Sequence, residues 1–158
     1  MFVITEIDTA NIGRCRTQMA KLPRRAAGAL HFNKESDNVR WAALHLFAKL
    51  PISVSVIETK PNLRHFVARE KAVRKVAQLA IVSTPQRIVL ERDATLIDKD
   101  RKWLSAELGK DSPTEYLHLG KHDEPLLWIS DGIGWALQRG GSWRTEAMGL
   151  VREWHKLG

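Results

Sequence analysis

The sequence predicts an α/β fold, with a mixed sheet flanked by helices. Three observations carry that expectation. Short β-branched runs alternate with stretches whose apolar residues recur at helical spacing. Prolines and glycine pairs fall between these stretches as breakers. Several connections are shorter than the roughly dozen residues that a parallel crossover needs, so the sheet should not be all-parallel. The 158 residues show no internal repeat and no long linker, which predicts a single domain over residues 1–158.

Taken in order, Phe2-Val3-Ile4-Thr5 opens a strand and Ile12 to Leu22 forms a short basic helix stopped by Pro23. Ala29-Leu30-His31-Phe32 reads as a short strand. Ser36 and Asp37 suit the N-cap of a helix from about Asn38 to Leu50, with Trp41, Leu44, Phe47 and Ala48 at helical spacing and Pro51 behind it. Ile52 to Ile57 alternates apolar and small polar residues, the clearest strand of the chain. Leu63 to Val82 reads as a helix with Phe66, Val73, Val76, Ala77 and Ala80 on one face. Arg64, Arg69, Lys71, Arg74 and Lys75 fall largely elsewhere around it. Arg87 to Glu91 is a strand whose unbroken apolar centre predicts cover on both faces. A helix from Asp98 to Leu108 and a short strand from Tyr116 to Leu119 follow. Glu124-Pro125 starts an apolar helix that Gly140-Gly141 ends, and Trp143, Met148, Val151 and Trp154 suggest a last amphipathic helix.

Composition narrows the function. No run approaches the roughly 18 apolar residues that span a membrane. Met1 to Ile12 carries Glu6 and Asp8 and lacks a basic leader region, so it does not read as a signal peptide. The lone Cys15 allows no internal disulfide, and a packed thiol in a cytoplasmic protein is the default expectation. The formal charge is +7, which makes a polyanion such as nucleic acid the first partner to consider. That charge is uneven: residues 1–60 carry a net +4, residues 61–90 a net +5, and residues 91–158 a net −2. Ten of the twelve acids in the last segment lie between Glu91 and Asp131. Cations beside clustered carboxylates suit a metal-dependent nuclease, though the same pattern fits a basic helix face and acidic loops.

Four carboxylates are candidates for chemistry. Glu91 ends an apolar strand, where α/β sites form at the sheet rim. Asp131 interrupts an apolar helix, which calls for a partner, a metal or a solvent-facing position. The neighbouring Gly132 and Gly134 suggest close approach by another group. Asp98 and Asp100 either join a metal site or cap the next helix. The six histidines show no zinc spacing, and there is no glycine-rich phosphate loop. The six tryptophans read as packing residues rather than base-stacking platforms; Trp143, beside Arg139 and Arg144, has the best claim to stacking.

Three segments in order resemble a large family with a ribonuclease-H-like fold, the domain-of-unknown-function 3800 family. They are Leu30 to Glu35, Ile88 to Arg92 with Asp98 and Asp100 downstream, and Pro125 to Ile133. The resemblance spans about residues 1–140. It implies a ribonuclease-H-like mixed sheet flanked by helices on both faces and metal-dependent nuclease chemistry, with Glu91 and Asp131 as Mg²⁺ or Mn²⁺ ligands and Asp98 or Asp100 as a third acid. The family begins with an acidic Asp-Glu-Ser-type strand. Here Phe2 to Asp8 aligns with the second strand, so the first acidic strand is missing from this sequence.

Two functions of different class follow. One is a nuclease in which Arg69, Arg74 and Lys75 hold the nucleic-acid backbone while Glu91 and Asp131 hold metal. The other is a catalytically incomplete module of the same fold that binds nucleic acid, a protein partner or a second copy of the chain.

Overall fold

The computed structural model describes residues 1–24 and 28–158. The protein is α/β, and its chain divides into two compact units, residues 1–56 with 121–155 and residues 57–120 with 156–158.

The first unit holds β1 (Phe2–Ile7), α1 (Ile12–Ala20), α2 (Asp37–Phe47), most of β2 (Ile52–Glu58), α5 (Leu127–Arg139), α6 (Gly141–Met148) and most of β5 (Val151–Lys156). The three strands form one mixed sheet in the order β1-β2-β5, with β2 central. The central place of β2 matches its run of four consecutive buried residues, Val54 to Ile57. Ser36 caps α2 by accepting a hydrogen bond from the Val39 amide, as its position before the helix predicts. The apolar stripe of α5 lies against β1 and α2, and its Trp128, Ile129 and Ile133 join Phe32, Leu44 and Phe47 in the core. Gly132 belongs to that stripe: a Cβ there would stand 2.6 Å from Cε2 of Phe32. The close approach foreseen for this glycine is thus made by an aromatic ring.

The second unit holds α3 (His65–Ser83), β3 (Arg87–Glu91), α4 (Ile97–Leu108) and β4 (Glu115–Leu119). The strands pair in parallel, from Arg87 opposite Glu115 to Glu91 opposite Leu119, and α4 is the crossover that parallel pairing requires. A small core of Val73, Ala77, Trp103 and Leu104 sits between the helices and Ile88, Leu90 and Tyr116 of the strands.

Four expectations are corrected. Ala29 to Phe32 forms no strand; Phe32–Lys34 is a 3-10 turn, closed by the Lys34 amide on the His31 carbonyl at 2.9 Å. Alternating burial of Leu30 and Phe32 imitates a strand without a ladder partner. The last helix stops at Met148, and Val151–Lys156 is a strand paired to β2; Val151 and Trp154, three apart, have a helical spacing that this pairing overrides. β3 lies in a two-stranded sheet of its own among the described residues, rather than in one sheet with β1, β2 and β5. It is also not covered throughout: its end residues and Leu117 on β4 are exposed. No helix among the described residues is long and apolar enough to cross a membrane.

Candidate functional site

The most deeply buried charge of the second unit is Asp100, fully buried in the first turn of α4. It shares a helical stripe with the core residues Trp103 and Leu104, three and four positions on, which turns its side chain inward. Arg69 reaches it from α3. Its Nε donates to Oδ1 at 2.9 Å and its Nη2 to Oδ2 at 2.7 Å, a forked pair. His118, on the core-facing side of β4 two residues after Tyr116, meets Oδ2 through Nε2 at 2.9 Å. An ionised carboxylate only accepts hydrogen bonds, so Nε2 must carry the hydrogen. The other ring nitrogen, Nδ1, is buried without a hydrogen-bond partner among the described residues. The hydrogen bonds from Arg69 to Asp100 raise the guanidinium's pKa, so the arginine stays charged in this half-enclosed setting.

Two shallow depressions flank this unit's helices. One, of about 450 Å³, is lined by His65, Arg69, Glu91, Arg92, Asp93 and Ala94. In it the Asp93 carboxylate accepts from the Thr95 hydroxyl at 2.7 Å and the Thr95 amide at 3.0 Å. Those bonds, with lesser help from Arg69 and His65, hold its pKa below the ordinary value. The other, of about 330 Å³, is lined by Lys71, Arg74, Lys75, Gln78, Lys156, Leu157 and Gly158. Here Arg74 is spanned by Glu70 at 3.0 Å and Glu107 at 3.2 Å. Lys71 Nζ donates to the Gly158 carbonyl at 3.2 Å. The side chains of Lys75 and Lys156 have no ion pair or hydrogen bond among the described residues.

These positions re-sort the candidates read from the sequence. Asp100 is no cap: Arg69 and His118 occupy both its oxygens. Arg69 is no solvent-facing cation; its side chain is 15% exposed, because position 69 stands one turn before the buried Val73 and shares its stripe. Arg74 is neutralised locally, whereas Lys75 points where a ligand could reach it. Asp98 is exposed in the first turn of α4, where a carboxylate favours the positive end of the helix dipole. Glu91 is exposed at the end of β3, on the rim of the mixed-charge depression. Asp131 lies in the first unit, on α5, with Lys121 Nζ at 3.1 Å. Asp131 therefore has the partner that a carboxylate on an apolar helix calls for. Also in the first unit, the buried Glu124 is forked by Arg16, Nη2 to Oε2 at 2.6 Å. No three His, Cys, Asp or Glu side chains among the described residues stand close enough to share a metal ion.

Sequence reasoning passed over the Asp100–His118 contact and the place of Lys156. The signal for the first was present, since Asp100 recurs with Trp103 and Leu104 and His118 alternates with Tyr116. Lys156 carried no local signal, because its neighbours in space come from α3. The Trp143 ring stacks on Trp41 at 4.1 Å between centroids and meets Trp135 edge-on, so its packing partners are other tryptophans.

The fold and the site define an α/β protein with a buried ion network in one unit and lysines around a basic depression beside it. No family model, no curated protein and no solved structure matches the chain.

Proposed function

We propose that the protein is a non-catalytic nucleic-acid-binding module, with the basic face of α3 as its contact surface. The observation that carries this reading is the depression where Lys71, Lys75 and Lys156 converge, two of them without a protein counter-charge. Unpaired ammonium groups on an open surface offer their full charge to phosphate, and phosphate contacts dominate nucleic-acid affinity. The net +5 of residues 61–90 supports the same partner. The nuclease reading asks Glu91 and Asp131 to hold metal, but Arg69 and Arg92 line the depression with Glu91, and Lys121 Nζ stands 3.1 Å from Asp131. The carboxylates therefore face cations of their own chain, and binding without cleavage is the better reading.

Fluorescence anisotropy of a short labelled duplex tests it. Three phosphate contacts predict an affinity that falls roughly 40-fold between about 50 and about 200 mM salt. Lys75→Glu should weaken binding at low salt. No detectable binding at about 50 mM salt would reject the proposal.

A further inference from the structure

We infer that this depression reads the phosphodiester backbone alone and is blind to base identity; the inference rests on the nucleic-acid reading above. Its lining supplies three ammonium groups, the Gln78 amide, an arginine already spanned by two carboxylates, Leu157 and Gly158. Lysine can meet the O6 and N7 of guanine, but it does so as a point charge with freely rotating donors, without the fixed geometry of an arginine fork or a paired amide. The one fork present, Arg74, is turned to Glu70 and Glu107. The one amide, Gln78, has its nitrogen 3.5 Å from Glu107 Oε2. None of the side chains lining the depression is aromatic, so it offers no face on which a base could stack. Lys71, Lys75 and Gln78 stand at positions i, i+4 and i+7 of α3, a single line along the helix. That line suits contacts following a phosphate track.

The test is a salt titration with several ligands of equal length. On duplex DNA, three lysine contacts predict a log–log salt slope of about −2.7. Lys75→Gln and Lys156→Gln should each make that slope shallower by about 0.9, with unchanged circular dichroism. Affinities for duplexes of different sequence should agree within about threefold, since a lost bidentate base contact alone shifts affinity by roughly tenfold. Inorganic polyphosphate, which has phosphates and no bases, should displace the duplex.

A tenfold preference for one sequence overturns the inference and leaves the binding reading intact. So does a slope unmoved by both substitutions, or a failure of polyphosphate to compete. Absence of binding to every nucleic acid at low salt overturns the binding reading itself.

Discussion

The two units solve the same problem with different means. The first buries a broad apolar core, with Phe32, Phe47, Leu44 and Trp128 each all but sealed from water. A forked ion pair in it, Arg16 with the buried Glu124, keeps the arginine side chain 47% exposed. The second has four buried apolar residues at its centre and seats a fully buried carboxylate beside them. Apolar burial tolerates local change, because each residue contributes roughly in proportion to its area. A buried charge does not, since removing one partner leaves the other desolvated and unpaired. The second unit should therefore fail at single polar positions, and the first only where its packing is overfilled or emptied.

The largest effect that tests this contrast is Asp100→Ala. It strands the Arg69 guanidinium and the His118 Nε2 hydrogen at once, and should cost about 3–5 kcal/mol. Urea unfolding followed by Trp103 fluorescence, with the other tryptophans replaced by Phe, reads the second unit directly. Glu124→Ala in the first unit should cost clearly less, because Arg16 can turn to water. Equal costs for the two substitutions would erase the distinction between the units.

The next effect is steric and belongs to the first unit. Gly132→Ala adds a Cβ 2.6 Å from the Phe32 ring, which is itself packed against Phe47 and Trp135. Overfilling of this kind costs about 1–3 kcal/mol. Gly134→Ala, two residues along the same helix, meets only Val3 Cγ2 at 3.5 Å, an ordinary contact. Replacing a helical glycine there should be neutral or stabilising by up to about 1 kcal/mol. Thermal melts of the two variants should move apart, and a shared shift would place the cost in the helix rather than in the ring.

What the sequence disclosed follows the range of the interactions involved. Arg87–Glu91 and the Ser36 cap are local, resting on β-branched residues in a row and on a hydroxyl three residues before its amide. Both are legible one segment at a time. Trp154 is not: its spacing of three from Val151 is helical, and only the distant β2 makes the segment a strand. The site divides in the same way. Lys75 is where a basic helix face should be. Arg69 differs from it only through Asp100, which lies on another helix, so no reading of α3 alone could separate a buried cation from a solvated one. Asp131 shows the converse. The need for a partner is written in the apolar residues around it, but the identity of that partner, Lys121, is set by the loop before α5.

The smallest effect contrasts the units at opposite ends of the pH scale. In the second unit, hydrogen bonds from the Thr95 hydroxyl and amide hold the Asp93 pKa below its unfolded value. A depressed carboxylate contributes stability above its unfolded pKa and loses it as pH falls through the folded one. In the first unit, burial pushes the Cys15 thiol pKa up. A raised thiol contributes stability that is complete below its unfolded pKa and is lost as pH rises through the folded one. Asp93→Ala should thus differ from the parent chain near neutrality and converge with it in acid. Cys15→Ala should differ at neutral pH by a packing loss that shrinks in alkali. Chemical denaturation across pH reads both. An Asp93→Ala difference that persists undiminished in acid would show that the Thr95 bonds hold the loop without regard to charge. The polar character assigned to the second unit would then rest on Asp100 alone.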